Sequence, residues 1–218
     1  MEEDEMEEDE VEEKELLVSV PGRICLLGEH SDWAAQIGDG RGRGGRGAAV
    51  VFLTGKSLSI EATVRKRRDD LLCISAVDNN GRAVQDRALE EWQEQEQSSK
   101  YGCVLKMEDS ELEACAASGK VWSYAAGAAR ALMIYVRNNF KDVLLGGAEI
   151  INNRTTLPTK AGLSSSAAIC VLVIRALSMI HGITLDEPTE MELAYQGERM
   201  TPSSCGRLDQ VCVARFRS

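Results

Sequence analysis

Residues 157–177 read LPTKAGLSSSAAICVLVIRAL, a glycine, a leucine and three serines set directly before a long apolar run. The run is compact and continuous, and it predicts a buried helix over 163–180 opened by the serines. Small and hydroxylated residues in a row make poor core, so the start of this helix calls for a reason other than packing. A helix N-terminus leaves backbone N–H groups unpaired and carries a partial positive charge, worth roughly 0.3 to 1 kcal/mol to a nearby anion. Phosphate suits such a place. Gly162 would let backbone approach the anion, and Ser164, Ser165 and Ser166 add hydroxyls, one of which could also ligate Mg²⁺. An ordinary serine N-cap accounts for the same residues equally well, so the rest of the chain has to decide.

Working outward, GAEIIN (147–152) reads as a short strand. Residues 121–139 place Val121, Tyr124, Ala125, Ala128, Leu132, Tyr135 and Val136 on one helical face. A further helix is predicted over 187–200, with Pro188 tolerated in its first turn. Upstream, ELLVSVPGRICLLGEH (15–30) reads as a strand interrupted by a turn or bulge at Pro21 and Gly22. Strands follow within 48–67 and 71–79, then a turn at Asn79, Asn80 and Gly81. The span 86–117 is expected to be helical in part, broken near QSSKYG (97–102). Strands followed by helices indicate an α+β, two-layer domain in which a mixed sheet is packed by helices.

Composition narrows the classes. A chain of 218 residues suits one domain or little more. No apolar run reaches the roughly 18 to 20 residues that span a bilayer, and the acidic N-terminus is not a targeting segment. Residues 1–15 hold eleven acids and one lysine, a net charge of −10 that equals the charge of the whole chain. The remainder is neutral, and 1–15 is expected to be a disordered acidic tail. Seven cysteines without CxxC pairs read as reduced thiols of a cytoplasmic protein, and two histidines exclude a His-rich metal site. GDGRGRGGRG (38–47) is expected to be a flexible Gly/Arg loop. Its three arginines lack interleaved aromatics and stand beside an acidic tail, which disfavours nucleic acid.

Two further stretches bear on the serines. VPGRICLLGEHSDW (20–33) brings Arg23, Glu29, His30 and Asp32 to the end of an apolar strand, and CGRLDQ (205–210) sets Asp209 beside Arg207 after a glycine. Each has a structural explanation alone: a surface cation, a strand-end histidine, a helix cap. Their joint occurrence is harder to dismiss.

PGRICLLGEHSDW, LPTKAGLSSSAA and CGRLDQ together resemble the three motif regions of the GHMP kinases, the superfamily of small-molecule kinases named for galactokinase, homoserine kinase, mevalonate kinase and phosphomevalonate kinase. The first is most similar to galactokinase and related sugar kinases. The resemblance implies a ribosomal S5 domain 2-like N-terminal domain over 16–218, with the family's C-terminal domain absent. It implies an ATP-dependent phosphotransferase acting on a sugar hydroxyl. Gly162, Leu163, Ser164, Ser165, Ser166 and Ala167 would cradle the ATP phosphates, with Ser166 and Glu198 on Mg²⁺. Asp209 would be the base and Arg23 its partner, keeping it ionised or stabilising developing charge; Glu29, His30 and Asp32 would hydrogen-bond the sugar. The alternative is a non-catalytic ATP-binding or regulatory fragment, completed by a partner that supplies the missing domain.

Overall fold

The computed structural model describes residues 15–28, 49–75, 102–158 and 161–215. The expected acidic tail save Glu15, the residues Glu29, His30 and Asp32, the 38–47 loop and the turn at 79–81 lie outside them. Strands β1 (Leu16–Pro21), β2 (Arg23–Leu27), β3 (Val50–Leu53), β4 (Ser59–Lys66), β5 (Leu71–Ser75), β6 (Cys103–Lys106) and β7 (Ala148–Thr155) are accompanied by helices α1 (Asp109–Ala117), α2 (Ser123–Asn139), α3 (Ser165–Ile180), α4 (Glu187–Arg199) and α5 (Leu208–Ala214).

Five strands form one sheet in the order β1-β4-β7-β5-β6, antiparallel except for the parallel β5–β7 pair. Alternation along the strands puts Val18, Val20, Ile60, Ala62, Val64, Leu72, Ile74, Ala148 and Ile150 in the core, where the helices cover them. The mixed, two-layer α+β architecture is the one expected. β6 occupies part of the span read as partly helical; its four residues are a strand because they pair with β5 from Cys103↔Ile74 to Lys106↔Leu71, and the helix there begins at Asp109.

The interruption at Pro21 and Gly22 is a change of sheet. β1 ends the five-stranded sheet at Pro21, and β2 starts a separate ribbon with β3 at Arg23. Gly22 is required by contact: a Cβ there would lie 2.3 Å from Leu157 Cδ1 and 2.7 Å from the Leu163 carbonyl oxygen. Its N–H donates to Leu58 O at 3.1 Å and to Thr54 Oγ1 at 2.9 Å. The strand entering the site is thereby pressed against the segment that leads into α3.

The far end of α3 is tied to β7 through His181. Gly146 N–H donates to Nε2 at 3.0 Å, and Nδ1 lies 2.9 Å from Leu177 O, so the ring serves both partners only as the neutral Nδ1–H tautomer. Burial, aided by the charge of Lys66, lowers its affinity for a proton, against the Leu177 carbonyl. The unfolded chain then binds more protons than the native one once pH drops below the ordinary imidazole value near 6.5. The stabilisation is full above that value and is lost as pH falls toward the depressed native one. Melting curves between pH 7 and 5.5 are expected to show a falling Tm, with a shallower fall in His181→Gln; equal slopes would refute this tether.

Candidate functional site

The three motif regions converge. Arg23, the first residue of β2, is 4 % exposed. Its backbone N–H donates to Leu163 O at 3.2 Å and its Nη1 to Gly162 O at 3.0 Å. Its Nε donates to Asp209 Oδ1 at 2.7 Å, and Nη2 pairs with the same oxygen. One guanidinium therefore holds the segment before α3 and the carboxylate at the start of α5, two elements far apart in sequence. An arginine suits this junction because its planar fork presents several fixed donors at once.

The turn into α3 is not an ordinary serine cap. Ser164 sits in the left-handed region, with φ 61° and ψ 41°, a conformation serine visits at a cost, and its side chain makes no capping bond. Ser164 Oγ is buried without a hydrogen-bond partner among the described residues. Gly162 also has a positive φ, 69°, with open space where a Cβ would stand. Strain together with an unsatisfied hydroxyl at the mouth of a helix points to a group that arrives from outside the chain. The helix begins at Ser165, two residues later than the sequence suggests, because Leu163 O is engaged by Arg23 and Ser164 turns left-handed.

Behind this turn lies Glu198, 2 % exposed, on the last turn of α4. Burial pushes its carboxyl above the usual carboxylate range; the Ser166 hydroxyl and Gln210 act against that as hydrogen-bond partners, and the charge of Asp209 adds to it. No Lys or Arg forms an ion pair with Glu198 among the described residues. A buried carboxylate with hydrogen bonds and no cation is costly. A divalent ion would supply the missing charge. Ser166 and Glu198 fit a magnesium site of the kind that takes one or two protein oxygens and fills the rest with water and phosphate oxygens. Among the described residues no group of three or more His, Cys, Asp or Glu could hold a metal on its own.

The start of α5 is fixed to α4 from outside by Arg207, which lies 4.1 Å over the Tyr195 ring and donates to Glu192 at 3.1 and 3.3 Å. Those bonds hold the Glu192 carboxyl below its usual range. All seven cysteines are free. Burial pushes the Cys170 thiol well up and that of Cys205 up to about 12, so neither is poised as a thiolate nucleophile.

Arg23, Gly162, Leu163, Ser164, Ser166, Glu198 and Asp209 are thus brought together, with Ser165 and Ala167 on the same first turn of α3. Glu29, His30 and Asp32 lie outside the described residues. Gln210 stands inside CGRLDQ with no part read for it from the sequence; it donates from Nε2 to Glu198 Oε2 at 2.6 Å.

No curated protein matches the chain by sequence. Residues 123–215 match the family model described as the GHMP kinases N terminal domain. Among solved structures, Methanococcus jannaschii mevalonate kinase superposes with a TM-score of 0.63 at 16 % identity, covering 92 % of this chain and 51 % of its own. Lactococcus lactis galactokinase complexed with galactose gives 0.60 at 19 % identity, with 92 % and 42 % covered. A D-glycero-D-manno-heptose 1-phosphate kinase from Bacteriodes thetaiotaomicron gives 0.57 at 18 % identity, with 91 % and 53 % covered. The chain spans about half the length of these proteins. Residues 123–215 thus match the GHMP kinases N-terminal domain, and the fold over most of the chain is the one these kinases share.

Proposed function

We propose that this protein transfers the γ-phosphoryl group of ATP to a hydroxyl of a sugar. The observation that carries the reading is the junction at Arg23, which ties the strained serine turn to Asp209 while the buried Glu198, with Ser166 as a hydrogen-bond partner, stands alongside. Phosphoryl transfer asks a protein for positioning and charge placement more than for covalent chemistry. That is what these residues offer.

Bound ATP with Mg²⁺ would supply the transferable group and neutralise its charge. The first turn of α3, from Ser165 to Ala167, would offer backbone N–H groups to the phosphates, and the Ser164 hydroxyl, unpaired among the described residues, would gain a partner. Ser166 and Glu198 would hold the metal. Asp209 takes the proton from the attacking sugar hydroxyl; Arg23 grips Oδ1 with two bonds, which leaves Oδ2 as the accepting oxygen. Glu29, His30 and Asp32 would bind other hydroxyls of the sugar, by likeness of their motif to sugar kinases. Similarity in fold to a galactokinase solved with galactose supports a sugar acceptor, and seven free thiols support a reducing, cytoplasmic setting.

A second reading rests on the coverage of about half of each relative. In that reading the domain binds ATP without turning it over, as a nucleotide-binding or regulatory module, because transfer also asks for positioning and exclusion of water. Titration calorimetry with ATP and Mg²⁺, followed by phosphate transfer to a panel of monosaccharides, separates the two. Ser166→Ala is expected to weaken Mg²⁺-dependent ATP binding roughly tenfold, the lower end for loss of a group that supports a metal. Binding without turnover would favour the second reading, and no nucleotide binding by a folded sample would overturn both.

A further inference from the structure

Gln210 follows Asp209 in the chain and has no exposed surface. Its Nε2 donates to Glu198 Oε2 at 2.6 Å. Its Oε1 is buried with no partner among the described residues. An unpaired buried carbonyl lowers stability, whereas an apolar side chain of similar length would fill the space without that cost. Packing alone therefore favours methionine here over glutamine. What only the amide supplies is a donor aimed at Glu198 from α5, the helix that also carries Asp209.

We propose that Gln210 is a positioning residue: it locks the Glu198 carboxylate in one orientation and thereby sets the distance between the metal-binding oxygens on α4 and the proton acceptor on α5. This rests on the kinase reading above. Arg23 fixes Asp209 from the side of β2, and Gln210 fixes its helix from the side of α4. The charge of Asp209 acts on Glu198 as a like charge, and the amide link opposes a separation of the two helices that carry them. The amide is neutral, so it restrains Glu198 without competing with an incoming cation as a lysine would.

The test is Mn²⁺ binding followed by electron paramagnetic resonance, with a non-hydrolysable ATP analogue present, alongside metal-free thermal melts. It uses the full chain, Gln210→Met and Gln210→Asn. Methionine keeps the volume and removes both the donor and the orphaned carbonyl; asparagine keeps an amide but draws it back by one methylene. The expected result is a roughly 10- to 100-fold weaker Mn²⁺ affinity in Gln210→Met, with its Tm equal to or above that of the parent chain, and an intermediate loss in Gln210→Asn. Where catalysis is measurable, the half-saturating Mg²⁺ concentration should rise in parallel. Unchanged Mn²⁺ affinity in folded variants would overturn the positioning role and leave the kinase reading standing. Should Gln210→Met not fold, unchanged affinity in Gln210→Asn decides against the proposal in the same way. Failure of the parent chain to bind Mn²⁺ with the nucleotide would remove the kinase reading and this inference together.

Discussion

Asp209→Asn is expected to lower phosphoryl transfer by about 10²- to 10⁴-fold, the range for loss of a general base, while ATP binding stays the same or tightens. Asparagine retains an Oδ1 that accepts from Arg23, so the junction with Gly162 and the start of α5 should survive. What disappears is the charge and the oxygen able to take a proton. ATP binding should not suffer, because a negative group near the phosphate turn has been removed. Arg23 is nearly buried and loses the charge of Asp209, but the Asp209 side chain is 26 % exposed, so water offsets part of that loss. A modest drop in Tm is therefore expected. Initial rates with ATP and the best acceptor of the monosaccharide panel, paired with calorimetry, provide the check. Rates within threefold of the parent would show that Asp209 is not the base.

Gly127→Ala is expected to destabilise the fold by about 2 kcal/mol and lower Tm by about 4 to 8 °C, although alanine is the better helix former. A Cβ at 127 would lie 2.2 Å from Gly197 O, and one at 197 would lie 2.6 Å from Ala128 Cα. Both obstacles are backbone, so no rotamer change can relieve them. Overpacking costs about 1 to 3 kcal/mol and sits at the upper end when only main chain can yield. The intrinsic gain of about 1 kcal/mol for replacing a helical glycine offsets part of it. The Tm figure follows from about 2 to 4 °C per kcal/mol for a chain of this size. Gly197 directly precedes Glu198, so a helix pushed outward would carry the proposed metal ligand with it. Calorimetric Mg²⁺·ATP affinity should fall together with the melt; an unchanged or raised Tm would show that α2 and α4 do not touch at these glycines.

Much of the architecture was legible because it is local. The helix read at 121–139 is α2 from Ser123 to Asn139, and the one read at 187–200 is α4 from Glu187 to Arg199, where Asp186 caps the Thr189 N–H at 2.9 Å. Periodicity of 3.6 residues and capping chemistry are properties of a single segment. β6 was not legible: four residues carry too little period, and their strand exists through the register offered by β5. The break at Pro21 and Gly22 was legible from residue type, but that it is a change of sheet was not, since what holds Gly22 in place, Leu157 and Leu163, is remote in sequence.

The same division runs through the candidate site. The sequence by itself determined which side chains have the chemistry: a glycine and serines opening an apolar helix, an arginine after Pro-Gly, an acid in CGRLDQ. Only the tertiary structure decided that Arg23 bonds both Gly162 and Asp209, that Glu198 is buried with no cation among the described residues, that Ser164 is left-handed with a hydroxyl unpaired among them, and that Gln210 spends its amide on Glu198. The reason is physical. Residue type and spacing constrain a segment against its own neighbours, whereas burial, charge and hydrogen-bond satisfaction are set by what other segments bring to the same few ångströms.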